Sequence, residues 1–137
     1  AKSSPDMEYG ANRPNGVILT YGVVSTREDI RCFCFDNLVT EEYGEQAVSL
    51  ERYVDEKSAP AFIWHSFPDE CVDPRNALVL ADSYVRAKVP CELHLYSDGA
   101  HGIGLGVPGE GNSEFYPRAH RWADEAAEWA LGLYAAR

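Results

Sequence analysis

The chain has 137 residues, the size of one domain, with 45% hydrophobic and 12% aromatic residues. That is enough apolar surface for a packed core and too much for a disordered segment. The formal charge of −10 repels polyanions, which argues against nucleic acid and anionic membrane surfaces as partners. No apolar run approaches the roughly 20 residues needed to span a bilayer. No signal peptide is visible in residues 1–30, and the compartment is left unassigned, cytoplasmic or secreted.

Residues 1–16 are polar, with two prolines and two glycines, and read as a loop or arm. Val17-Ile18-Leu19-Thr20-Tyr21 is a β-branched and apolar run of the kind that forms a buried parallel strand. Residues 22–45 look irregular and carry Cys32-Phe33-Cys34-Phe35, and residues 46–54 suit a short helix. Pro60 introduces Ala61-Phe62-Ile63-Trp64-His65, a second buried-type strand. A polar turn from Ser66 to Asp73 leads to Asp73-Pro74, where Asp as N-cap and Pro at the first helical position start a helix. Ala77, Leu78, Ala81, Tyr84 and Val85 recur along it at helical spacing. Pro90 ends it and opens a third strand, Cys91-Glu92-Leu93-His94-Leu95-Tyr96. Residues 97–116 form a long glycine-rich loop, a length that usually serves function. From about Pro117 a last helix sets Ala119, Trp122, Ala126, Trp129 and Leu133 on one stripe, a core face rather than a sugar platform.

Strands alternating with helices imply a parallel sheet in an α/β layer fold. In such sheets ligands bind beyond the carboxyl ends of the strands. Asp69 follows the second strand and His101 follows the third. An acid followed by a histidine, each just past a parallel strand, matches the Ser-Asp-His order of nucleophilic hydrolases. The chemistry needs an imidazole to take and return a proton, and a carboxylate to fix its tautomer and stabilise the imidazolium.

The residues carry a more specific resemblance. Pro60-Ala61-Phe62-Ile63-Trp64-His65-Ser66-Phe67-Pro68-Asp69-Glu70-Cys71-Val72, with Asn76-Ala77-Leu78 after it, resembles the acid-bearing turn of bacterial feruloyl and acetylxylan esterases, which have the α/β-hydrolase fold. So does Val89-Pro90-Cys91-Glu92-Leu93-His94-Leu95-Tyr96 followed by Asp98-Gly99-Ala100-His101-Gly102-Ile103-Gly104-Leu105, which is similar to that family's loop around its catalytic histidine. Arg13 to Tyr21 looks like the strand after the nucleophile elbow; Phe35-Asp36-Asn37-Leu38 and the closing Trp122 to Trp129 helix fit as well. The resemblance runs from about residue 12 to the end.

It implies that residues 1–137 are a partial domain: the C-terminal part of an α/β-hydrolase, with about three parallel strands flanked by helices. It implies Asp69 as triad acid and His101 as base. Tyr21, at the end of the first strand where the site would lie, and Gly102 are candidate substrate-binding residues. Two departures stand out. The family has proline directly after the valine, whereas Val72 is followed by Asp73-Pro74, which makes Asp73 a rival acid. The family's G-x-S-x-G elbow is missing: Gly111-Asn112-Ser113-Glu114-Phe115 lacks the second glycine and follows no strand, so Ser113 reads as a loop serine. The expected function is that of a serine-type carboxylic ester hydrolase to which this chain brings the acid and base. Alone, without the serine, it is expected to be inactive. Alternatives are a prolyl-oligopeptidase-like peptidase fragment and a non-catalytic dimerising remnant.

The expected partners are a small ester and either the N-terminal half of the hydrolase or a second copy, because an interior strand left unpaired at Val17 invites another chain. No cofactor and no metal are expected. Cys32 and Cys34 form a CxC pair, not CxxC, and no histidine stands at a ligand spacing from them. With Cys71 and Cys91 they read as free thiols, although spacing alone leaves a disulfide open. Gly104-Leu105-Gly106-Val107-Pro108-Gly109 satisfies G-x-G-x-x-G, but Pro108 interrupts it and no helix opens from it, so it reads as a loop rim. His65 ends a strand beside the acid turn and reads as a packed structural histidine, with substrate contact as the alternative; His94 and His120 read as structural or surface histidines.

Overall fold

A computed structural model describes residues 13–37, 39–42, 44–109 and 114–135. The expected arm at 1–16 lies mostly outside these, as does Ser113. Three strands, β1 (Val17–Thr20), β2 (Ala61–Ser66) and β3 (Cys91–Tyr96), form a parallel sheet in the order β1-β2-β3. The register aligns Leu19 with Ile63 and Trp64 with His94. Three helices accompany it: α1 (Glu45–Val48), α2 (Arg75–Ala87) and α3 (Trp122–Ala135).

β2 is the centre of the molecule, and all six of its residues are buried. Alternation along a strand sends successive side chains to opposite faces. Ala61 and Ile63 therefore join Ala77, Leu80, Ala81 and Tyr84 of α2 in one core. Phe62 and Trp64 join Ile103, Ala119 and Ala126 in the other, which Trp122 and Trp129 close. Phe62 and Trp64 are fully buried, and truncating either to alanine costs about 3–5 kcal/mol. The result is a sheet with a helix on each face, as the alternating strands and helices imply.

Several details differ from the expectations. β1 is not a buried strand: among the described residues it pairs on one side only, with β2, and Ile18 is 44% exposed. Residues 46–54 do not make one helix. α1 is a single turn, followed by a 3-10 segment, Leu50–Tyr53. The break falls at buried Ser49, whose Oγ accepts the Thr26 N–H at 3.2 Å and donates to Glu51 at 2.7 Å, so tertiary hydrogen bonds replace the helical pattern. On α2 the buried stripe is Ala77, Leu80, Ala81 and Tyr84, while Leu78 and Val85 face outward. α2 ends at Lys88, which adopts the left-handed conformation and donates its N–H to the Tyr84 and Val85 carbonyls, two residues before Pro90. The four cysteines are free thiols, and only Cys32 is buried.

Candidate active site

Asp69 and His101 meet at the carboxyl end of the sheet. The backbone beyond β2 first extends the ladder, with the Phe67 N–H donating to the Tyr96 carbonyl at 2.7 Å, and then turns. Asp69 shapes that turn itself: its Oδ1 accepts the N–H groups of Cys71 and Val72, each at 2.9 Å. Its Oδ2 faces His101, whose Nδ1 lies 2.9 Å away. A carboxylate oxygen only accepts, so Nδ1 carries the proton and Nε2 keeps a free lone pair. The Asp69 side chain is fully buried and that of His101 is 35% exposed, so the acid sits inside and the base meets the surface. Burial opposes ionisation of Asp69, but hydrogen bonds from the Val72 N–H, His101 and the Cys71 N–H outweigh it and hold the carboxyl below the usual range.

Among its described residues, the loop that carries His101 is braced at several points. Asp98 accepts the Arg118 and Ala119 N–H groups at 2.9 and 2.8 Å, which ties the end of β3 to the start of the last helix. The indole of Trp122 donates to the Gly104 carbonyl at 2.8 Å, and the Tyr116 N–H donates to Gly106 at 3.0 Å. Ile103 is fully buried beneath it. At Gly99 the backbone has φ +101°, and an added Cβ would stand 2.5 Å from Ser66 Oγ and 3.3 Å from Ala119. Only glycine fits there.

Tyr21 also reaches the pair. Its ring lies edge-on to His101 with centroids 5.2 Å apart, and edge-on to Trp64 at 5.0 Å. Gly102 follows the histidine with φ +71° and is exposed. Asp73, the rival acid, is instead bound to the Arg75 guanidinium at 2.6–3.0 Å and accepts the Arg75 N–H at 2.8 Å, and these contacts account for it at the helix start. The Arg75 hydrogen bond holds its carboxyl below the usual range. Gly104, Gly106 and Gly109 all have positive φ, and among the described residues no helix opens from them, so the glycine string reads as a set of turns.

The sequence did not reveal the role of His65. It is fully buried, and its Nε2 lies 3.0 Å from Asp69 Oδ2, the oxygen that also receives His101, and 3.0 Å from the Val72 carbonyl. The i,i+4 spacing of His65 and Asp69 across a strand end is the only sequence trace of the contact. Asn76 carries no signal of its own in the sequence, yet its fully buried amide joins four backbone groups. His94 stacks on Phe62 and contacts Glu92 and Glu125, and His120 contacts the Tyr116 carbonyl, both away from Asp69. Among the described residues no three metal-ligating side chains gather, and no helix is long and apolar enough to cross a membrane.

This sheet, with an acid and a histidine meeting past adjacent strands, is the fold of the α/β-hydrolases. Solved structures agree. A carboxylesterase from Lactobacillus plantarum superposes with TM-score 0.71 and 25% identity, over 87% of this chain and 45% of its own. An acetyl ester-xyloside bifunctional hydrolase from Caldicellulosiruptor lactoaceticus gives TM-score 0.71 and 25% identity over 88% and 44%. A curated relative, endo-1,4-beta-xylanase B of Butyrivibrio fibrisolvens, is 29% identical over 119 residues, which are 83% of this chain and 18% of that protein. No family model matches. The chain spans a little under half the length of the solved esterases it resembles.

Proposed function

We propose that this chain supplies the acid and the base of a Ser-Asp-His triad in a serine-type carboxylic ester hydrolase. The observation that carries the reading is the 2.9 Å contact between His101 Nδ1 and buried Asp69 Oδ2. It leaves Nε2 free on a partly exposed ring, which is what a general base requires. In the reaction, Nε2 takes the proton from a serine hydroxyl as its oxygen attacks the ester carbonyl. It then passes that proton to the departing alcohol. Water deacylates the enzyme by the same route. Asp69 keeps the ring in the Nδ1–H tautomer and stabilises the imidazolium. Tyr21 and Gly102 border the acyl site.

The sequence contains no G-x-S-x-G elbow, so the serine and the oxyanion donors come from another segment of the fold that pairs along the open edge of β1. Acetyl or feruloyl esters of plant polysaccharide are the substrate class. The acetyl ester-xyloside hydrolase among the structural neighbours and the xylanase relative support it.

The test is hydrolysis of p-nitrophenyl acetate together with fluorophosphonate labelling. The chain alone is expected to give neither turnover nor label. Joined to the serine-bearing half of a related esterase it is expected to turn over, with a loss of about 10³-fold or more in His101→Ala. Labelling of a serine in the chain alone, or full activity of His101→Ala in the joined form, overturns the reading.

A further inference from the structure

His65 is a second histidine on the acid of the pair, and its geometry fixes its chemical form. Nε2 contacts two oxygens, Asp69 Oδ2 at 3.0 Å and the Val72 carbonyl at 3.0 Å, and a carbonyl cannot donate. Nε2 therefore holds the proton and shares it between them. Nδ1 is buried with no hydrogen-bond partner among the described residues, so a second proton there would have nowhere to point. The ring is a neutral, one-sided donor at 0% exposure. Asp69 then accepts four hydrogen bonds, two from backbone at Oδ1 and two from imidazoles at Oδ2. The titratable groups that face this cluster are Asp69, His101 and, beyond Val72, Asp73.

We propose that His65 is a positioning residue for the acid-base pair: its Nε2–H aims Asp69 Oδ2 at His101 and takes up part of the carboxylate's charge, which sets the proton affinity of His101. The proposal rests on the triad reading of Asp69 and His101 and extends it to a third side chain. Two donors on one oxygen compete, so each moderates the other. With His65 removed, the full carboxylate charge falls on His101 and its imidazolium becomes harder to deprotonate.

The experiment is a pH titration of the histidine ring nitrogens by NMR on the full chain. In the parent, His65 is expected as the Nε2–H tautomer, titrating below the ordinary imidazole value of 6.5. A His65 that titrates at or above that value, or that carries its proton on Nδ1, overturns the proposal without any variant. His65→Leu is expected to raise the proton affinity of His101 by about three- to tenfold, roughly 0.5–1 pH unit, the worth of one lost hydrogen bond. His65→Gln restores a donor and should bring the midpoint back toward the parent. If His65→Leu and His65→Gln both leave the midpoint in place, His65 only fills space and the proposal fails. Asp69→Asn separates the two ideas. If it does not lower the His101 midpoint, the Asp69–His101 pair itself is wrong. If it does while His65→Leu has no effect, only the role of His65 falls.

Discussion

Tyr21 packs edge-on against His101 from a backbone that L-residues avoid. Its φ is +35°, at the point where β1 ends and hands its last N–H to the Trp64 carbonyl at 2.9 Å. A non-glycine residue held there stores about 1–3 kcal/mol of strain, retained only where surrounding contacts over-determine it. The contacts here are the two rings at 5.0 and 5.2 Å. Tyr21→Ala keeps the strain and loses the rings, whereas Tyr21→Gly loses the rings and relieves the strain. Glycine is therefore expected to be more stable than alanine at this position by about 1 kcal/mol, the reverse of the usual order in a strand. Urea unfolding of both variants measures it, and equal stability would mean the backbone is relaxed.

The burial of neutral His65 gives the protein a defined acid weakness. Burial is the largest influence on the ring and pushes it below its ordinary value of 6.5, against the Val72 carbonyl and Asp69, which favour protonation. As pH falls below 6.5 the unfolded chain binds a proton that the folded chain refuses, so stability declines until the folded value is reached. One proton sets a limiting slope of about 1.4 kcal/mol per pH unit. Asp69 adds a second loss at lower pH. Its folded value lies below 3.8, so its contribution is complete above 3.8 and disappears as pH falls through the folded value. His65→Gln, which cannot titrate, is expected to lose less stability than the parent as pH falls below 6.5. Urea midpoints at three pH values decide it.

The sheet and the meeting of Asp69 with His101 were legible because each rests on local signals. Proline starts β2 and β3, apolar runs fill them, and both polar residues stand in the turns just beyond. What escaped depends on tertiary contacts that the order of residues does not show. Ser49 breaks a helical pattern because Thr26 reaches it from 23 residues away. Leu78 and Val85 fit the helical period as well as Leu80 does, but the sheet lies under only one side of α2. His65 looked like packing because nothing in a strand sequence shows which oxygen its Nε2 will share.

Asn76 is the position where this long-range order is most concentrated. Its Oδ1 accepts the Val24 and Ser25 N–H groups at 3.1 and 3.0 Å, and its Nδ2 donates to the Ile30 and Asp73 carbonyls at 3.1 and 3.0 Å. One side chain thus satisfies backbone on the irregular segment after β1 and at the start of α2. Asn76→Ala leaves buried donors and acceptors unmet, at about 1–3 kcal/mol each where water cannot enter. A loss of at least about 3 kcal/mol is expected, with faster amide exchange at Val24 and Ser25. A loss under 1 kcal/mol would show that water replaces the amide.

Gly99 couples the base loop to the end of β2. A methyl group there meets Ser66 Oγ at 2.5 Å, and φ +101° is strained for any side chain. Gly99→Ala must push the loop off the sheet, and His101 lies two residues on. The expected outcome is a loss of about 2–4 kcal/mol and a weakened Asp69–His101 hydrogen bond, read as faster exchange of the His101 Nδ1 proton. An unchanged exchange rate would show that the loop absorbs the methyl group locally.

The open side of β1 makes the last prediction. Val17 and Tyr21 donate their N–H groups toward β2, to Pro60 and Trp64, so strand alternation turns the N–H groups of Ile18 and Thr20 to the unpaired side. Beside that edge lies a cavity of about 310 Å³ lined by Ile18, Leu19, Val23, Leu50 and Leu80, with Leu50 53% exposed. An apolar edge with unmet backbone groups recruits a strand. Lysine on an edge strand opposes such pairing, because a buried ammonium is costly. Light scattering is expected to show the chain self-associating at micromolar concentration and Ile18→Lys shifting it toward monomer. A clean monomer of the parent would mean that β1 tolerates an open edge, and the pairing route proposed for the serine-bearing segment would lose its physical basis.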